Sequence, residues 1–157
     1  MFVCEIKTKC YSTTEEVLEL VRAFEAGTLA RERWTHEAHL VIALWHVSRH
    51  PLPRATRLIR EGIKCYNEAH GIRQTPDGGY HETLTLFWIK KVYQFLVAIK
   101  HREGLLLTLA NELVKHYAEE NLPLVYYSRE LLFSSEARAR WVEPDLKRLD
   151  EARPDWS

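Results

Sequence analysis

Apolar residues recur at helical spacing along nearly the whole chain, and polar breaks divide the pattern into five main segments. Ser12-Thr13-Thr14-Glu15-Glu16 opens the first, with Thr13 and Glu16 spaced as a capping box. Val17, Leu18, Val21 and Phe24 form its inner face, Glu25 lies near Leu18 and Val21 on the wheel, and Gly27 ends it. Thr35 is placed to cap a second helix running to His50, where Pro51 and Pro53 end it and begin a third over 53–70. Leu58, Ile59, Ile63 and Tyr66 share a side of that helix, and His70-Gly71 closes it. A fourth segment, 80–101, is the most apolar, with His81, Leu84, Trp88, Val92, Phe95 and Ile99 on one face. Gly104 interrupts the pattern. A fifth helix, carrying Leu106, Leu109, Leu113 and Val114, runs to Glu120. Short helical pieces follow at 127–133 and 135–142, with Pro144 stopping the second. Residues 1–11 read as an arm or lone strand, 12–149 as the domain and 150–157 as a tail. The predicted fold class is all-α: a bundle of four to five main helices with short C-terminal helices.

The second helix departs from simple amphipathic patterning. His36, His39, His46 and His50 fall within an arc of roughly 80° at about 100° per residue, while most of the remaining circumference is apolar. A helix apolar on nearly all sides is buried, so imidazoles are carried inward and need partners. His36 and His39, three apart, reach toward one region. His81 opens the fourth helix on its apolar side, and Glu82 follows. Two or three imidazoles with a carboxylate make a donor set for a divalent transition metal (Zn, Fe, Ni or Mn), and bundle interiors build such sites from facing helices. The expected ligands are therefore His36, His39, His81 and Glu82, with Glu82 as a fourth ligand or catalytic base.

Trp34, Tyr80 and Trp88 are expected to wall a substrate pocket beside them. The loop GIRQTPDGG, 71–79, reads equally as a lid over that pocket or an ordinary connection. Arg129 reads as a surface ion-pairing residue, with anchoring of an anionic ligand as the alternative. His46 and His50 are expected to make core or surface contacts. His70, His101 and His116 lie near helix ends, where the dipole favours them. Two other readings of the cluster compete with the metal centre. One is a metal-free small-molecule binding module using the same histidines as hydrogen-bonding groups. The other is a structural domain in which each imidazole is bonded to protein and no pocket remains.

Composition narrows the classes. Lys+Arg and Asp+Glu balance at 22 each, and no basic run marks a nucleic-acid partner. No apolar run reaches the ~18 residues of a membrane span, and the first residues lack the regions of a secretory signal. Three cysteines, Cys4, Cys10 and Cys65, have no CxxC spacing, which points to a reduced, cytoplasmic protein. There is no GxSxG elbow, phosphate-binding glycine loop or dinucleotide fingerprint. The second histidine of His36-Glu37-x-His39 arrives one residue too early for HExxH.

WTHEAHL, GYHETLTLFW and YYSRELLFSSEARARWVEPDL together resemble a family of uncharacterised bacterial helical proteins. Its members share W-[TN]-H-x-x-H-L, Y-H-E-T-[LI]-T and Y-S-R-E…W-V-E-P-D-L in this order. The likeness spans residues 20–146. It implies an all-helical fold and supplies no reaction. A weaker likeness is to DinB/YfiT-like bundles, which hold a divalent ion with three histidines. There the later helix provides two of them; here the earlier one does, so the comparison is architectural only.

Overall fold

A computed structural model describes residues 10–99 and 105–149. Residues 1–9 of the predicted strand or arm at 1–11, His101, Gly104 and the tail from 150 lie outside the described residues, as does Cys4. The described chain is all-helical. Its main elements are α1 (Thr14–Glu25), α2 (His36–Arg49), α3 (Leu52–Ala69), α4 (Glu82–Ala98) and α5 (Leu106–His116). Three short pieces follow: α6 (Pro123–Tyr126), α7 (Arg129–Leu132) and α8 (Ser135–Ala139). None of the described helices is long and apolar enough to cross a membrane.

Local chemistry sets the helix ends. Thr13 Oγ1 accepts from Glu16 N–H at 3.2 Å, and the Glu16 carboxylate reaches back to Ser12 N–H at 2.8 Å, one residue beyond the usual box. Gly27, at φ 72°, closes α1, with Thr28 N–H bonded to the Ala23 carbonyl. Gly71, at φ 66°, does the same for α3, with Ile72 N–H on Asn67. The inner face of α1 is Val17, Leu20, Val21 and Phe24; Leu18 is only half-buried and Glu25 is exposed. α5 stops at His116, four residues short of the expected Glu120.

α2 is the hub, packed against α1, α3, α4 and α5. Leu40, Val41, Ile42 and Leu44 are almost fully buried, which explains its weak amphipathicity. At the start of the described chain, both backbone groups of Tyr11 pair with the Asn111 side-chain amide, at 2.8 and 2.9 Å. A second, smaller core lies behind α4, where Phe87 meets Tyr126, Tyr127 and Leu132. This C-terminal cover is stitched to the segment Tyr80–Thr83. Thr83 Oγ1 donates to the Arg140 carbonyl at 2.8 Å and accepts from Val142 N–H at 3.2 Å. Ser128 binds the Asp145 carboxylate through both its N–H and its hydroxyl, at 2.7 and 2.6 Å.

Candidate functional site

A cavity of about 510 Å³ lies where the starts of α2 and α4 approach the middle of α3. His36, His39 and His81 line it, as do the expected wall residues Trp34, Tyr80 and Trp88. Glu82 does not. Asn67 and Thr85 contribute further polar groups, and exposed Glu120 and Asn121 come from the segment after α5. The apolar lining includes Ile42, Ile59, Ile63 and Ile89.

Each imidazole is oriented by a backbone carbonyl. A carbonyl only accepts, so the ring nitrogen facing it carries the proton. His36 Nε2–H donates to the Tyr117 carbonyl at 2.7 Å, and its Nδ1 has no protein partner among the described residues. His39 Nδ1–H donates to the Thr35 carbonyl at 2.6 Å, which likewise leaves Nε2. His81 differs from both. It is the N-cap of α4 rather than a residue within it, its Nδ1 accepting from Leu84 N–H at 3.1 Å. Its Nε2–H donates to the Leu132 carbonyl at 2.7 Å, so both ring nitrogens are engaged.

Electrostatics follow this geometry. His39 stacks on Trp34 with ring centroids 3.7 Å apart, and Trp34 stacks in turn on Phe24 at 4.7 Å. Its residue surface is half-buried because it borders the cavity, yet protein surrounds enough of the ring that desolvation lowers its pKa to about 4, so the imidazole is neutral. Burial also lowers His81. Burial alone would raise Glu82, but hydrogen bonds from Arg60 and Tyr80, with the Arg60 charge, outweigh it and hold the carboxyl below its usual range. Arg60 Nε reaches both Glu82 oxygens at 3.1 Å, its Nη2 lies 2.5 Å from Oε1, and Tyr80 OH donates to Oε2 at 2.5 Å.

The four expected ligands therefore do not assemble into one donor set. His36 and His39 each retain a ring nitrogen, His81 retains none, and Glu82 is bonded to Arg60 and Tyr80 outside the cavity lining. Among the described residues, no group of three or more His, Cys, Asp or Glu side chains is placed to hold a metal ion. The role of catalytic base also sits poorly with Glu82, since a carboxylate held ionised by an arginine is a weak proton acceptor.

The loop 71–79 is tied down at its exit. The Gln74 amide brackets Tyr80, accepting from its N–H at 2.8 Å and donating to its carbonyl at 3.0 Å. Arg138 from α8 donates to the Gly79 carbonyl at 3.0 Å. Gly79 sits at φ 83°, and a Cβ there would lie 2.9 Å from the Arg73 carbonyl oxygen. These ties fix the end of the loop that borders the cavity, which favours the ordinary-connection reading over the lid.

Other polar positions settle simply. His46 is buried and bonds the Ile42 carbonyl at 2.8 Å, with Glu25 at 3.7 Å from Nε2. His70 bonds the Tyr66 carbonyl at 3.0 Å in the last turn of α3. Arg129 is exposed, its guanidinium 5.9 Å from the Phe133 ring. Asn67 and Thr85 were findable from sequence: Asn67 follows Ile59 and Ile63 at four-residue spacing, and Thr85 lies four after His81. Glu120 and Asn121 carry no such signal.

Comparisons with protein-family models, with curated proteins and with solved structures give no match for this chain.

Proposed function

We propose that this chain is a small-molecule binding domain that holds its ligand in the His36/His39 cavity by hydrogen bonds and apolar contact, without a protein-built metal centre. One observation carries the reading: two imidazoles, each oriented by a backbone carbonyl, keep a ring nitrogen with no partner among the described residues, beside a cavity of about 510 Å³. That volume falls within the range of about 300–1,000 Å³ typical of ligand pockets, and its mostly apolar lining with a few polar groups has their usual character. A purely structural cluster would instead be closed over, with every imidazole bonded as His81 is. The metal-centre alternative lacks His81 and Glu82 as donors in this arrangement.

Phenyl and indole fragments titrated into untagged protein test the reading, with binding followed by protein chemical shifts in the presence and absence of EDTA. Expected are shifts at residues bordering the cavity, unchanged by chelator and lost in the double variant His36→Ala/His39→Ala. Binding abolished by EDTA and restored by zinc would contradict it.

A further inference from the structure

Accepting that reading, the identity of the groups left free narrows the ligand. Tyr80 OH is engaged as a donor to Glu82, and Thr85 Oγ1–H donates to the His81 carbonyl at 2.8 Å. His36 Nδ1 and His39 Nε2 are acceptors when the rings are neutral. Three nearby cations are not among the lining residues: Arg60 pairs with Glu82, Arg138 donates to the Gly79 carbonyl, and exposed Lys64 lies 4.9 Å from the Tyr80 ring. Among the described residues, Glu120 is the one carboxylate in the lining. The indoles of Trp34 and Trp88 and the amides of Asn67 and Asn121 supply neutral donors. These suit a hydroxyl or carbonyl but bring no charge to a carboxylate or phosphate.

We infer that the cavity takes a small organic amine: an ammonium group donates to the His36 and His39 ring nitrogens and faces Glu120, while an apolar body packs against Ile42, Ile63 and Trp88. Trp34 stacks on both Phe24 and His39, so its ring is already committed to contacts within the protein. Selection against anions follows from the same inventory, since an incoming carboxylate would meet two lone pairs and a like charge.

Three probes of similar size decide this: phenethylamine, 2-phenylethanol and 3-phenylpropionate. They are titrated at about pH 8, above the ordinary imidazole range of ~6.5, with affinities read from chemical shifts of cavity residues. The amine is expected to bind at least about ten-fold more tightly than the carboxylate. In Glu120→Gln that ratio falls below about three-fold. Equal or tighter binding of 3-phenylpropionate would overturn the inference and leave the binding cavity standing. An unchanged ratio in Glu120→Gln would overturn the role of Glu120. If none of the three shifts the cavity residues, the binding-domain reading itself falls, and this inference with it.

Discussion

Two helix starts border the same cavity and are completed in opposite ways. At the start of α2, Thr35 caps the helix, its hydroxyl accepting from Ala38 N–H at 3.3 Å, so the histidines that follow are not needed for capping. Each of them uses one nitrogen on a carbonyl and keeps the other. At the start of α4, His81 is itself the cap, and its second nitrogen holds Leu132, fifty-one residues away. Glu82 beside it is clasped by Arg60 and Tyr80. The same residue types thus do architectural work at one helix end and stay chemically available at the other. Residue type nominates a site; the hydrogen-bond partners decide what remains for a ligand.

The comparison predicts unequal consequences for loss of each side chain. His81→Ala removes the α4 cap and leaves the buried Leu132 carbonyl without its donor. Together these cost about 3 kcal/mol, or roughly 8 °C in Tm for a chain of this size. Urea and thermal unfolding measure it, and a loss under about 1 kcal/mol would place His81 with the α2 histidines instead.

Acid comes next. Burial depresses both His39, to about 4, and His81 below the imidazole range, so the unfolded chain binds these protons first as pH falls. Their contribution is fully present above about pH 6.5 and is lost as pH drops toward about 4, on the order of 2 kcal/mol for His39. Urea titrations across that window should show stability falling with acid and a shallower slope in His39→Phe. Glu82, a carboxyl whose pKa is lowered on folding, contributes stability that is present above the ordinary carboxylate pKa of about 4.3 and is lost as pH falls from there through its lowered value.

Glu82→Gln weakens the bonds from Arg60 and should cost about 1.5 kcal/mol, since it uncouples a half-buried guanidinium from its counter-charge. The smallest effect on stability belongs to His39→Phe. The ring keeps its stack on Trp34 and loses one hydrogen bond, so unfolding should stay within about 1 kcal/mol of wild type. Ligand binding, by contrast, should be lost. A stable His39→Phe protein that binds the probes normally would end the assignment of His39 to the site.

Much of the fold was legible before any coordinates. Thr13 and Thr35 cap the helices they were expected to cap, Gly27 and Gly71 end theirs, and the apolar surround of α2 marked it as the buried hub. The convergence of His36, His39 and His81 on one cavity was also readable from two inward-facing helix starts. Their partners were not. Any backbone carbonyl can receive an imidazole proton, so nothing in the residues marks Tyr117, Thr35 or Leu132 for that task. Arg60 lies twenty-two residues from Glu82 on another helix, and only packing brings the pair together. The second core was missed for a related reason. The face of α4 drawn through Leu84, Trp88 and Val92 omits buried Phe87 and Lys91, which sit on the side turned to the C-terminal segment, where Lys91 Nζ donates to Tyr126 OH at 2.9 Å. A helix sandwiched between two packing surfaces has no single apolar stripe to read.

The ring protons of the three histidines give the most direct test, through long-range ¹H–¹⁵N correlation spectra of the imidazoles with and without phenethylamine. His36 should carry its proton on Nε2, His39 on Nδ1 and His81 on Nε2, and the amine should shift only the bare nitrogens of His36 and His39. A His81 ring that responds as strongly as those two, or reversed tautomers at His36 or His39, would contradict the division of labour between the two helix starts.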